Sequence, residues 1–194
     1  MRRKTFDILM SVGGLVLALV LAVAGGLLLW AHNFVTDEVH SQLAAQKIYF
    51  PQAGSEALQG DQIAPYLNQY AGQQLVNGEQ AKAYADHFIA VHLQGIGGGQ
   101  TYSQLSAKAM ASPNDQALAG QVQTMFRGET LRSMLLNAYA FWKMGQIALI
   151  AGVVSFVASF VFLILSIFGF VHAGGTSETQ ELKLGARTPA PVEP

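Results

Sequence analysis

The sequence predicts an all-α membrane protein in which two transmembrane helices flank an all-helical extracytoplasmic domain. Three observations lead there. Only 12% of the 194 residues are charged and 51% are hydrophobic, against about 25% charged in an ordinary soluble domain. Two uninterrupted apolar runs account for the deficit: ILMSVGGLVLALVLAVAGGLLLWA at 8–31 and GQIALIAGVVSFVASFVFLILSIFGFV at 145–171. Between them, no segment sustains the period-two alternation of a half-buried strand.

Both runs exceed the roughly 20 residues a helix needs, at about 1.5 Å each, to cross about 30 Å of hydrocarbon. The start MRRK and the triplet Ala22-Val23-Ala24 also fit a cleavable signal peptide. However, the first run continues through GGLLLWA, past the roughly 7–15 residues of a signal peptide's apolar region, so an uncleaved signal anchor is expected. Arg2, Arg3 and Lys4 precede it and Asp37 and Glu38 follow it, which orients the N-terminus to the cytoplasm. A second span returns the C-terminus to the same side. Trp30 ends the first run, and Tyr139, Phe141 and Trp142 precede the second, suiting an outer interfacial belt with Lys143 reaching for headgroups. The expected organisation is a basic cytoplasmic N-terminus at 1–7, spans at 8–31 and 144–172, an extracytoplasmic domain at 32–143, and a disordered cytoplasmic tail at 173–194. That tail, AGGTSETQELKLGARTPAPVEP, is small, polar and proline-containing.

Within the domain, Val35, Val39, Leu43 and Ile48 have helix-like spacing, so the first helix should continue outward until YFP ends it. A short helix is expected over 61–70, bounded by Gly60 and Gly72. Asn77 should cap a helix reaching Gln94, stopped by GIGGG. Thr101 should cap another to Ala111. In SPND, Ser112 is the expected N-cap with Pro113 in the first turn, opening a helix that runs into the second span with Gly128 as its weakest point.

The domain has eight acidic and six basic residues, too balanced for a nucleic-acid partner. The chain has no cysteine, so no disulfide staples it and no thiol can act as a nucleophile. No charge lies within either span, and two spans alone make a poor pore, so transport by this chain alone is not expected. GIGGG follows a helix where a phosphate loop would need a strand before it, and reads as a connector. No G-x-S-x-G nucleophile elbow is present.

Gly14, Ala18, Ala22 and Gly26 form a four-residue ladder of small side chains, and Ala148, Ala151, Gly152, Ser155, Ala158 and Ser159 form a comparable stripe. Such faces let membrane helices approach closely. The plainer reading is a hairpin within one chain; the other is a homodimer or docking to a membrane partner through Gly14, Ala18, Ala22 and Gly26.

The strongest hint of chemistry is YADHFIAVH at 84–92. On a straight α-helix His87 and His92 lie about 140° apart, unlike the i, i+4 pairs that bind zinc. That geometry places His92 on the apolar face with Ala81, Tyr84, Ala85, Phe88 and Ile89, and leaves Asp86 and His87 in solvent. No metal, cofactor or catalytic residue is therefore expected. A metal-dependent enzyme drawing ligands from His40, His87 and His92, with Asp37 beside His40, is the alternative.

The stretches HNFVTDEVHSQLAAQKIYFP, YLNQYAGQQL, YADHFIAVHL and FRGETLRSMLLNAYAFWKMGQIAL resemble a family of small actinobacterial two-span membrane proteins, over nearly all the chain to His172. The resemblance implies the two-span topology and carries no catalytic residue here. Some members bear a label of aromatic ring-opening dioxygenase. Non-haem iron chemistry of that kind needs a two-His, one-carboxylate face, which the helical spacing above separates. The expected function is that of a non-enzymatic partner-binding, scaffolding or regulatory subunit of the cell envelope, with a sensor-like ligand-binding module acting through a partner as a further alternative.

Overall fold

The computed structural model describes residues 2–177. Its helices are α1 (Arg3–Ala45), α2 (Ala64–Leu67), α3 (Gly78–Ala83), α4 (Ala90–Gly97), α5 (Tyr102–Ala111) and α6 (Gln116–Gly175). Short 3-10 turns occupy Glu56–Leu58 and Asn68–Tyr70, and a π-helical segment, Tyr84–Ile89, joins α3 to α4. The described residues contain no strand; an isolated antiparallel bridge joins Tyr49 and Gln74. The all-helical expectation holds. Both α1 and α6 are long and apolar enough to cross a membrane.

The chain divides into two compact units. One comprises the residues up to Leu29 together with those from Leu149 onward. Here α1 and α6 pair through small residues. The Ser159 hydroxyl donates to the Ala18 carbonyl at 2.7 Å, and Ala18 is 3% exposed. A Cβ on Gly14 would lie 2.5 Å from Ser166 Oγ, and one on Gly25 would press on the Phe156 ring and the Gly152 carbonyl. The ladder is thus used inside the chain at Gly14 and Ala18, whereas Gly26 faces open space and Gly25 takes the close approach. The reason is that 3.6 residues per turn carries a strict four-residue row about 40° off its face at each step, so the contact row steps from Ala18 to Gly25.

The other unit, Trp30–Ala148, has its own core. Phe50, Leu58, Leu67, Leu75, Ala81, Ala85, Leu93, Leu105, Met125 and Leu135 are all buried. Fully burying one large aliphatic or aromatic side chain is worth roughly 1.5–3 kcal/mol. Phe50 stands at its centre, edge-on to Tyr84 with ring centroids 5.3 Å apart and tilted against Tyr70 at 5.2 Å. α1 ends at Ala45, ahead of the YFP expected to stop it, and Phe50 of that triplet supplies the core instead. Gln74 Nε2 donates to the Ala44 carbonyl at 2.8 Å, satisfying one of the carbonyls left over at the end of α1.

Several caps match the sequence reading. Asn77 accepts from Gln80 N at 2.9 Å. Thr101 and Gln104 form a reciprocal capping box, and Gly98 ends α4 in the left-handed conformation. Other features differ. The N-cap of α6 is Asp115, whose carboxylate accepts from Leu118 N at 2.9 Å; Ser112 instead closes the preceding turn, its carbonyl accepting from Asp115 N. Gly128 does not break α6, because its missing side chain makes room for Leu93. At the far end α6 extends to Gly175, three residues into the segment expected as tail; 178–194 lie outside the described residues.

Candidate functional site

The π segment changes the geometry of YADHFIAVH. Ala81, Ala85, Ile89, Leu93 and Gly97 are all buried, a spacing of four repeated four times. On a straight α-helix that row would drift about 160° around the axis. The i→i+5 pattern of a π turn underwinds the helix locally, and the row stays on one face. Leu93 therefore takes the core position that uniform α geometry assigns to His92.

His92 is exposed, donating from Nδ1 to the Phe88 carbonyl at 2.7 Å and lying tilted against the Phe88 ring at 4.4 Å. His87 is half-buried. Its ring stacks on Tyr66 with centroids 3.6 Å apart and planes 6° from parallel, and Nδ1 lies 3.2 Å from the Gln62 carbonyl. The expected roles of the two histidines are exchanged.

Asp86 is not simply in solvent either. It pairs with Lys82 at 2.5 Å and Arg132 at 3.3 Å, joining the π segment to α6. Burial alone would raise its pKa, but the hydrogen bonds and charges of Lys82 and Arg132 outweigh that and hold the carboxyl below the ordinary Asp range. Burial raises the Tyr84 phenol; burial and then the Glu79 charge raise that of Tyr70. Beside this network, Lys82 Nζ sits 5.4 Å from the centroid of Tyr139. Tyr66, His87, Tyr139 and Trp142 line a shallow cavity of about 250 Å³ there.

His40 is exposed on α1, and His32 Nδ1 lies 2.9 Å from the Gly145 carbonyl. A carbonyl only accepts, so His32, His87 and His92 each hold a proton on Nδ1 and leave Nε2 as the second ring nitrogen. That tautomer suits metal binding. Among the described residues, however, no three His, Asp or Glu groups come together as a ligand set.

A larger cavity lies elsewhere. It is a groove of about 570 Å³ between α1 and α6, wholly within Trp30–Ala148. Val39, Leu43 and Leu135 form its buried floor, while Phe34, Met134 and Phe141, each more than half exposed, form its lips. Glu38, Gln42 and Gln46 line one edge, with Gln42 Nε2 donating to Glu38 at 2.5 Å. A mostly apolar, partly open cleft with a few polar groups at its margin is the usual form of a ligand site. Val35, Val39 and Leu43 belong to the helix-spaced set expected to prolong the first helix and Phe141 to the expected interfacial belt, whereas Leu131 and Met134 carry no expectation from the sequence. Their signal was present: LRSMLLNAYAF is apolar around too much of the helix for a single core-facing stripe.

Comparison of the chain with family models, curated proteins and solved structures returns no match.

Proposed function

We propose that this chain is a two-span integral membrane protein of the cell envelope, with both termini cytoplasmic and Trp30–Ala148 serving as an extracytoplasmic, non-enzymatic binding module. Three features support the membrane part. The apolar stretches of α1 and α6 are only 11% and 6% buried, the outward side chains are large and apolar, such as Val16, Val20, Phe160 and Phe168, and Arg2, Arg3 and Lys4 precede the first stretch. Surfaces of that kind are stable in hydrocarbon and costly in water.

The binding role rests on the groove. Phe34, Met134 and Phe141 expose apolar surface around a cleft of about 570 Å³, and a module built only to hold its own core would have closed it. An apolar component of the envelope seated there gives the chain its regulatory or scaffolding action.

A photo-crosslinking amino acid at position 134, in native membranes, tests this. Capture of a defined component, lost when Phe141 is replaced by Asp, is the expected result; no adduct beyond random labelling would overturn the proposal. Topology is tested by Met110→Cys, since Met110 is 76% exposed and the chain has no other thiol. Labelling of intact cells by an impermeant maleimide is expected, and labelling only after lysis would reverse the orientation.

A further inference from the structure

We infer that the shallow cleft where α2, α3 and the π segment meet α6 binds the phosphate of a phospholipid headgroup. The inference rests on the membrane part of the reading above and is independent of the groove.

The walls of this cleft are held by contacts made inside the fold. Trp142 is seated on the Gly78 backbone, where an added Cβ would fall 2.5 Å from its own Cβ. His87 stacks on Tyr66 with centroids 3.6 Å apart, and its Nδ1 is tied to the Gln62 carbonyl. Lys82 Nζ sits over the Tyr139 ring and is paired with Asp86. Walls already ordered in this way have little side-chain freedom left to lose when a ligand arrives.

Their polar tips, by contrast, are not consumed by the fold. Among the described residues, no hydrogen bond or ion pair engages the Tyr66 and Tyr139 hydroxyls, the Trp142 indole N–H or the Lys143 ammonium, and all four residues line the cleft. Each of these groups is a donor. A donor-rich recess selects a ligand rich in acceptors. A phosphate diester offers only acceptor oxygens, together with a negative charge for Lys143. A sugar hydroxyl both donates and accepts and an ammonium only donates, so neither matches the excess of donors as well. Glu79 also lines the cleft and suits the ammonium of an ethanolamine head beside the phosphate.

Depth identifies the source. Lys143, Trp142 and Tyr139 precede the apolar run 145–171 by two, three and six residues, about 3–9 Å of rise at 1.5 Å per residue. The headgroup layer extends about 5–8 Å beyond each side of the hydrocarbon. The cleft therefore opens where lipid phosphates are concentrated. An ordinary interfacial belt uses separate Trp, Tyr and Lys side chains. Here Tyr66 and His87, remote from them in sequence, join them around one recess.

Native mass spectrometry of the full chain in detergent, titrated with phosphatidylethanolamine or with diacylglycerol of the same acyl chains, tests this. Phosphatidylethanolamine should bind at least about tenfold more tightly, a difference of about 1.4 kcal/mol. Lys143→Gln, at an exposed position, should erase most of that preference, and adding Tyr139→Phe should erase the rest. Lys108→Gln, which removes an exposed charge from α5, should leave the preference intact. All variants should unfold at the wild-type temperature.

Equal binding of diacylglycerol, or a phosphate preference indifferent to Lys143→Gln and to the double variant, would overturn the inference. Competition by glycerophosphoethanolamine at the affinity of the whole lipid would overturn the bilayer as the source and leave a site for a soluble phosphate. Any of these results in a chain that stays in the membrane on alkaline extraction would leave the membrane reading standing. Release of the chain by that extraction would remove the membrane reading, and the lipid assignment with it.

Discussion

Trp142 packs the root of its side chain directly on the backbone of Gly78, where a Cβ would lie 2.5 Å from Trp142 Cβ and 2.6 Å from its Cγ. Those atoms are fixed by the α6 backbone and cannot swing aside, unlike the tip of a flexible chain. Gly78→Ala should therefore destabilise the protein by roughly 1–3 kcal/mol, the usual cost of overpacking, despite the better helix propensity of alanine. Gly120→Ala is the control: nothing lies within 4 Å of its Cβ position, and it should be neutral or stabilising by up to about 1 kcal/mol. Thermal unfolding of the purified chain in nanodiscs compares the two. Equal effects would show that Trp142 is free to move.

The exchanged histidines give a second prediction. His87→Ala removes the stack on Tyr66 and the tie to the Gln62 carbonyl, and should cost about 0.5–1.5 kcal/mol. His92→Ala removes only a contact to its own helix at an exposed position and should stay within about 0.5 kcal/mol of neutral. Uniform α geometry predicts the opposite order, so the same unfolding measurement distinguishes a π turn from a regular helix at this place.

Those histidines also show where the sequence stopped being legible. Helix existence, the caps at Asn77 and Thr101, and the two long apolar stretches follow from local chemistry and could be read directly. Placing His92 required the number of residues per turn, which is a tertiary property: the row Ala81, Ala85, Ile89, Leu93 could all face the core only if the helix underwound. A strict spacing of four small or aliphatic residues carried that information, though it was outweighed by the apparent stripe of Tyr84 and Phe88. The N-cap of α6 was misplaced for a different reason. Ser112 and Asp115 are both good caps, and the turn between them decides which is used. The groove was hidden because a sequence shows which residues are apolar, while the gap between two helices depends on how they diverge.

The Asp86 network makes stability depend on pH in a defined direction. Lys82 and Arg132 depress the folded-state pKa of Asp86, so the ionised carboxyl stabilises the fold above the ordinary carboxylate range, and that contribution is lost as pH falls through the depressed folded value. At neutral pH, Asp86→Asn should be less stable than wild type by about 1 kcal/mol, as befits a partly exposed charged network. The gap should narrow once pH drops below about 4, the range in which an unperturbed Asp takes up its proton. Denaturation midpoints of both proteins from pH 7 to 3 test this. A gap that widens on acidification would reverse the sign assigned to Asp86.

The absence of cysteine allows the pairing of the apolar stretches to be tested with two introduced thiols and no background. Ser159 Oγ lies 2.7 Å from the Ala18 carbonyl, so Ala18→Cys with Ser159→Cys should join within one chain under mild oxidation or a short bifunctional thiol reagent, giving a product with monomer mobility. Gly26 faces open space on α1, so a single Gly26→Cys can crosslink only to another molecule. If the small-residue ladder serves the hairpin alone, the double variant forms its intramolecular bridge and Gly26→Cys yields no dimer above the random background at high lipid-to-protein ratio. Efficient dimer formation through position 26, together with the intramolecular bridge, would assign the two edges of one helix to two partners: Ala18 to the second helix of its own chain, and Gly26 to a second copy. Failure of the internal bridge would place α6 away from Ala18, and the hydrogen bond from Ser159 could not then be what seats the two helices together.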